Sequence, residues 1–400
     1  MPDQPVFGRR LRELRTERGL TLAALAGEGM SAGYLSRLES GARRPTERAV
    51  AHLAAQLGIS AAELTQSTVT TLARALTLAT GLGRDEAGAA LSEALKASGG
   101  EDPLLRWQAL RQVAAWHGRR AEHAEQRARL DELVALSTTI ALPELRARAL
   151  AELSRCLRDT GETAPAVDTA ARAHRLARSE RLPAHVRVQA LLALVWSLLA
   201  AGRDADAAGY AGELLTTAED ATGAPRAQAL WAVATTRLRR DDPGGAAELL
   251  DRAVGEFDGR DDLTLWMRLR LDAARAGLLT DPPRTETARE RADEITAVLP
   301  FAGSPAIGQG LLAVRARLAV ATGRIDEART VLDRLVGHDD LLTPQDRIGL
   351  DVLRHRVLLH DGERDTALTG LRDLAEQAQR GGDMSLAAEI WRLVAESLAA

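Results

Sequence analysis

Asparagine is absent from this 400-residue chain, lysine occurs once (Lys96) and cysteine once (Cys156). A single thiol excludes a disulfide within the chain and any zinc site built from several cysteines, and it suits a reducing, cytoplasmic setting. Aromatic residues make up only 3% of the sequence. Alanine is abundant beside leucine, arginine and glutamate, a composition of packed helices rather than of sheets. Long apolar runs are missing too. The most apolar stretch, Val188 to Ala201, is interrupted by Gln189 and Ser197. It falls short of the roughly 18–20 residues needed to span a bilayer and is expected to be a buried core helix. The opening residues, Met1-Pro2-Asp3-Gln4-Pro5, show no basic flank leading into an apolar segment, so no export signal is expected. The length suffices for two or three domains.

Charge is divided unevenly. Residues 1–66 carry nine arginines against seven acids, while the remainder is acidic, within a whole-chain net charge of −4. That excess is too modest to point to nucleic acid alone. The punctuation of residues 7–65 says more. Phe7, Leu11 and Leu14 form an apolar helical stripe flanked by arginines, and Gly19 stands where that helix should end. Thr21 is placed to cap a second helix burying Leu22, Leu25 and Ala26. After the turn at Gly29, Ser31 is placed to cap a third, with Leu35 and Leu38 inward and Gly41 as its stop. Pro45 is expected to start a fourth helix that buries Val50, Leu53, Leu57 and Ile59. A short turn at Ala61-Ala62-Glu63-Leu64 closes the set.

Five short helices in this order resemble the Cro/repressor-like (XRE-type) helix-turn-helix family, Ser31 to Pro45 carrying the most specific part of the likeness. The resemblance implies that helix 31–39 lies in the DNA major groove, with Ser31, Ala32, Gly33, Tyr34, Ser36 and Arg37 as DNA-binding positions. Arg37 is the candidate for bidentate readout of guanine, and Arg43 and Arg44 suit phosphates. It further implies a structural ion pair between Arg15 and Glu39. Many members place glutamine at the start of helix two to hold a phosphate; Leu22 stands there instead, and the segment from Leu25 to Gly29 is one residue shorter than usual.

Beyond residue 66 a phrase recurs in which alanine follows glycine by five positions: Gly161 and Ala166, Gly202 and Ala207, Gly323 and Ala328, Gly362 and Ala367. The glycine spacings of 41, 121 and 39 share a step of about 40. Degenerate copies are expected around Ala246 and Ala288, and upstream near Ala124 and Ala87. Each copy reads as helix, glycine turn, helix, and such hairpins stack into a solenoid. The array resembles tetratricopeptide repeats with lengthened helices, about eight hairpins long, although the family's aromatic positions are largely missing and another α-solenoid fits as well. The expected architecture is all-α: a five-helix helix-turn-helix domain over 1–66 and an α-solenoid of tetratricopeptide-like hairpins over 67–400. The join Gln66-Ser67-Thr68-Val69-Thr70 is short and polar.

Such a solenoid offers a groove for peptides or protein segments. Trp107, Trp116, Trp196, Trp231, Trp266 and Trp391 either line that groove or pack between helices. Arg172, Arg175, Arg178, Arg237, Arg239 and Arg240 either present a positive face or are ordinary solvated positions. Regulators that combine these two domain types commonly hold a signal peptide through asparagines; this chain has none, leaving Gln108, Gln112, Gln189, Gln228, Gln309 or arginines as substitutes. Neither His117 with His123 nor His355 with His360 has the i, i+4 spacing of a helical metal pair. Cys156, set among apolar helical neighbours, reads as packing. With no phosphate loop or serine elbow, the sequence points away from an enzyme and from any cofactor or metal. The expectation is a cytoplasmic, sequence-specific, homodimeric DNA-binding regulator without membrane association, whose repeats sense a peptide, small ligand or protein partner. The alternative is an interaction scaffold whose first domain no longer reads DNA.

Overall fold

The computed structural model describes residues 6–27, 30–61, 64, 71–97, 102–337, 341–342, 344–380 and 384–399. Every regular element among them is an α-helix. Gly29, Ala62, Glu63 and the join at 66–70 lie outside the described residues. The chain forms two compact units, residues 1–136 and 137–400.

In the first unit, α1 (Val6–Glu17), α2 (Leu22–Ala26), α3 (Ala32–Glu39) and α4 (Glu47–Leu57) enclose one core. Phe7, Leu11 and Leu14 meet Leu25, Leu35, Leu38, Val50, Leu53, Leu57 and Leu64 there. Leu22 and Ile59 are only partly buried against it. The caps follow the expected chemistry: the Thr21 hydroxyl accepts from the Ala24 N–H at 3.1 Å and that of Ser31 from the Tyr34 N–H at 3.1 Å. At the fourth helix the boundary moves. Thr46, not Pro45, caps α4, accepting from the Ala49 N–H at 3.2 Å, and Pro45 is buried just outside. The rest of the unit holds α5 (Thr71–Ala79), α6 (Arg84–Ala97), α7 (Pro103–Arg119) and the greater part of α8 (His123–Ile140).

The second unit continues as antiparallel hairpins. They pair α9 (Pro143–Asp159) with α10 (Thr163–Ser179), α11 (Ala184–Ala200) with α12 (Asp204–Thr217), and α13 (Ala224–Leu238) with α14 (Pro243–Glu256). Then follow α15 (Leu263–Leu278) with α16 (Thr285–Ala302), α17 (Pro305–Ala321) with α18 (Ile325–Asp333), α19 (Pro344–His360) with α20 (Arg364–Arg380), and a final α21 (Met384–Ala399). The described helices from α5 onward thus make eight hairpins and one more helix. The first helices of successive hairpins, α9, α11, α13, α15, α17 and α19, also pack on one another.

The recurring phrase has a direct structural meaning. Gly161, Gly202, Gly323 and Gly362 all take left-handed φ values, +82°, +69°, +72° and +85°, closing the first helix of a hairpin. Ala166, Ala207, Ala328 and Ala367 are all fully buried. They sit where the second helix comes closest to its neighbours, and a larger side chain would hold the helices apart. Ala246 and Ala288 occupy the same position, also buried. Upstream the chain departs from expectation. Ala124 is exposed and Ala87 only partly buried. Buried Gly88 and Gln126 fill the position instead, Gly88 because the Trp116 ring lies where its Cβ would be. The Val188–Ala201 run lies in α11 up to Ala200, with Ala201 as its C-cap, and the inward positions of α11 are buried in the largest core cluster. No helix of the described residues is long and apolar enough to cross a membrane.

Candidate nucleic-acid interface

Helix α3 is amphipathic in a way that separates packing from display. Leu35 and Leu38 are wholly buried, while Ser31, Ala32, Gly33, Ser36 and Arg37 are exposed on the other side. Ser31 spends its hydroxyl on the cap, which fixes the helix start. The Arg37 guanidinium lies back along the helix, with Nη1 only 3.8 Å from where a Cβ on Gly33 would sit. Tyr34 is partly buried against the core, and Arg43 stacks over its ring at 4.9 Å. That contact is a cation–π pair of the kind worth about 0.5–1 kcal/mol at exposed sites. It holds the loop after α3 against the helix. Arg44 is exposed, and neither Arg37 nor Arg44 forms an ion pair among the described residues.

The orientation of α3 is set from behind. Arg15 on α1 grips Glu39 at the end of α3 with two bonds, Nε to Oε1 at 2.6 Å and Nη2 to Oε2 at 3.0 Å. Its Nη1 donates to the Leu20 carbonyl at 2.9 Å. The carboxylate is mostly buried, and its hydrogen bonds raise the Arg15 pKa further above its ordinary value. This is the pair that the family resemblance implies, and its role is positional. Two supports escaped sequence reading. Gly8 packs under the C-terminus of α3, where a Cβ would overlap the Leu38 carbonyl oxygen and come within 2.8 Å of that of Glu39. His52 on α4 bonds through Nε2 to the Ala26 carbonyl at 3.0 Å, pinning the end of α2. A glycine inside an amphipathic helix was the available signal for the first; nothing local marks the second.

In the second unit a line of side chains ties the first helices of the hairpins together. Arg148 on α9 donates to Gln189 on α11 at 3.5 Å, and buried Ser154 and Ser197 share a hydrogen bond of 2.9 Å. Trp196 and Trp231 meet edge to face at 5.1 Å, and Trp231 Nε1 donates to Asp272 on α15 at 2.6 Å. Arg275 on the same helix reaches Asp346 on α19 at 2.8 Å. Burial opposes the Arg275 charge, yet Asp272 and Asp346 outweigh it and raise its pKa; for Arg317 burial prevails over the opposing pull of Glu389 and Asp346 and lowers it. Arg275, Arg317 and Asp346 line a cavity of about 150 Å³ walled by Leu271, Val314 and Leu350.

The tryptophans divide between the two readings. Trp107 is buried, Trp196, Trp231 and Trp266 are partly buried against core clusters, and Trp391 is exposed. Of the candidate glutamines, Gln189 and Gln309 are engaged within the protein, the latter accepting from the Leu341 N–H at 3.1 Å. Cys156 is buried. His117 bonds Glu122 at 2.7 Å through Nδ1.

Comparison with known proteins agrees with this picture. Residues 6–66 match the family model of a helix-turn-helix domain. No curated protein sequence matches the chain. Among solved structures the chain is similar to a Rap protein complexed with Competence and Sporulation Factor. The identity is 12% with a TM-score of 0.50, covering 98% of this chain and 97% of that one. It is also similar to Bacillus thuringiensis PlcR in complex with the peptide PapR7 and DNA, at 13% identity and a TM-score of 0.35, covering 62% of this chain and 94% of that one. A third likeness is to the tetratricopeptide-like repeats of a putative kinesin light chain from Podosopora anserina, at 17% identity and a TM-score of 0.41, covering 49% of this chain and 95% of that one. At such identities the likeness to the Rap protein is one of fold alone, and the helix-turn-helix assignment rests on residues 6–66.

Proposed function

We propose that this protein is a cytoplasmic, sequence-specific DNA-binding transcriptional regulator, acting as a homodimer and without catalytic activity, whose helical repeats sense a peptide, small ligand or protein partner. The observation that carries the DNA reading is α3 itself. Its apolar face is committed to the core, its end is clamped by Arg15 and Glu39, and its free face offers Ser36 and Arg37 with the small residues Ala32 and Gly33 between. A rigid helix with one exposed polar face fits the width of the major groove. Arg43 and Arg44, just beyond the helix, suit the phosphates that flank it. We assign the DNA-reading domain to residues 1–66 and the sensing domain to 67–400.

The sensing role is supported by the layer of first helices and its cross-helix ties. A ligand that displaced the Trp231–Asp272 or Arg275–Asp346 bonds would change how neighbouring hairpins pack. It would thereby favour one spacing of two recognition helices over another. The Rap protein of similar fold was solved complexed with Competence and Sporulation Factor, and in the present chain, which has no asparagine, glutamines or arginines would have to hold a peptide backbone.

The test is retention of genomic fragments from the source organism at moderate salt, sequenced and repeated with Arg37→Ala. A shared inverted repeat that blurs with the substitution supports the regulator. If fragments are retained without a common motif, or if Arg37→Ala leaves the motif intact, the reading of α3 is wrong and the scaffold alternative stands.

A further inference from the structure

Residues 163–200, the span of α10 and α11, hold five arginines and two carboxylates in a chain whose net charge is −4. Three of those arginines, Arg178, Arg181 and Arg187, border one recess of about 490 Å³ together with His174, Leu182, Leu191 and Glu213. The recess is built from the end of α10, the turn into α11, the first turns of α11 and the middle of α12. Its floor is apolar and buried, formed by Leu182 and Leu191. Its rim is cationic. Glu213 is the single carboxylate, and it stands 3.8 Å from His174 Nε2 rather than against a guanidinium.

Exposed arginines usually belong to solvated faces, and on most of these repeats they look that way. Arg203 pairs with Asp206, Arg252 with Glu256, Arg324 with Glu327 and Arg329 with Asp326, each within one helical turn. None of Arg172, Arg175, Arg178, Arg181 and Arg187 has a carboxylate partner among the described residues. Arg181 also adopts a left-handed φ of +50°, a conformation that an arginine enters at a cost. That backbone is held by the Arg181 N–H on the Arg178 carbonyl and the Leu182 N–H on the Ala177 carbonyl, at 3.2 and 3.0 Å. Three unpaired forks thus converge on a concave surface large enough for a small organic molecule.

We propose that this recess binds a small organic phosphate: a phosphate or diphosphate group held by Arg178, Arg181 and Arg187, with its organic body on Leu182 and Leu191. Planar guanidinium forks match phosphate oxygens in pairs. A multiply charged phosphate neutralises the excess that three arginines and one glutamate leave, as a single carboxylate does not. The site would give the repeats a metabolite input.

His174 supplies an internal reporter. It is buried at the base of the recess, its ring edge-on to Tyr210 at 5.5 Å. The groups facing it are Glu213 and Tyr210 from α12, Arg187 from α11, Arg181 from the turn, and Arg175 and Arg178 from its own helix. Burial, then Arg178 and Arg175, depress its pKa against the opposing pull of Glu213. An anion in the recess adds negative charge and must raise it.

The experiment uses the full chain with inorganic pyrophosphate, ADP and citrate as probes at a fixed ionic strength of about 0.15 M, where loose surface attraction is screened. Calorimetry gives affinity, and the imidazole NMR signal of His174 gives its titration. Saturable binding of pyrophosphate and ADP, with the His174 titration moved to higher pH, is the expected result. Arg178→Ala, Arg187→Ala and Arg181→Gly should each weaken it about tenfold or more, the size of one lost charge-assisted bond. Arg239→Ala, an exposed arginine outside the recess, should leave it unchanged. These substitutions are at exposed positions, so folding is not at stake. Several outcomes would overturn the proposal: no saturable binding, binding indifferent to the three substitutions, an unmoved His174, or citrate binding as tightly as pyrophosphate. Displacement of the probe by duplex DNA would do so too, because it would assign the surface to nucleic acid. None of these readouts depends on fragment retention, so the DNA reading fails or stands separately.

Discussion

Gly8 shows how a single missing methyl group can set a domain. Its Cα lies against the C-terminus of α3, and a Cβ there would meet backbone oxygens, which cannot move aside as a side-chain tip can. Gly8→Ala should therefore cost the N-terminal domain about 1–3 kcal/mol, read as a lower denaturant midpoint for its unfolding. Arg15 and Glu39 give the complementary case. Arg15→Ala leaves a mostly buried carboxylate without its partner, and a loss of about 2 kcal/mol or more is expected. Because Arg15 faces away from the groove, DNA affinity should fall with base preference unchanged. Arg37→Ala should do the reverse, costing about 1–3 kcal/mol at one base position while stability holds. Arg43→Ala should lower the salt dependence of binding by about one unit of slope. Binding measured on a panel of single-base operator variants at several salt concentrations separates the three, and identical profiles would refute the assignment.

At the scale of the hairpin, two positions of the recurring phrase fail for different reasons. Gly323 has open space around its missing Cβ, so Gly323→Ala is opposed only by its φ of +72° and should cost about 1 kcal/mol. Ala328 is fully buried between helices, and Ala328→Leu should cost about 1–3 kcal/mol by forcing them apart. Thermal unfolding of both variants beside the parent ranks them, and a costlier Gly323→Ala would contradict the packing account. The phrase was legible because glycine takes the left-handed turn without strain and alanine permits the close approach, although Ala121 and Asp241 take that turn position in other hairpins. Where another pair solves the same packing problem the pattern disappears. Trp116 fills the space that forces Gly88, and the Gln126 amide lies over Gly118, so copies centred on Ala87 and Ala124 are not where the helices touch. The fourth helix shows the same limit: Pro45 suits a first helical position, but the Thr46 hydroxyl is the group that captures the free N–H.

For the whole molecule, pH should act through buried imidazoles. His174 and His355 both have pKa values depressed by burial. In the unfolded chain each takes a proton near its ordinary value of about 6.5, which the folded state resists. Protonation then favours unfolding, so stability is full above that value and falls as pH drops through it, levelling off once the depressed folded pKa is passed. His355 packs against Gly370 of α20, so its charging bears on the α19–α20 hairpin. The gap in unfolding midpoint between about pH 7.5 and 5.5 should shrink in His355→Gln. An unchanged gap would remove His355 from the account. The proposed regulator also carries a stoichiometric expectation: two chains per inverted repeat in sedimentation of the DNA complex, with half-sites about one helical turn apart. One chain per site would refute the dimer.

Much of this protein is written in local chemistry. Helix propensity, hydroxyl caps, left-handed glycines and a step of about 40 residues are properties of neighbouring residues, and they determined an all-helical chain with a helix-turn-helix start and a run of hairpins. The exposed face of α3 was legible for the same reason, since Leu35 and Leu38 define its opposite. What joins distant residues was not. Gly8 beneath Leu38, His52 on the Ala26 carbonyl, Trp231 on Asp272 and the three arginines around His174 all depend on how helices pack. Periodicity gives the inward side of a helix, but the partner it meets there is fixed by the distances and angles of packing, which only the tertiary structure decides.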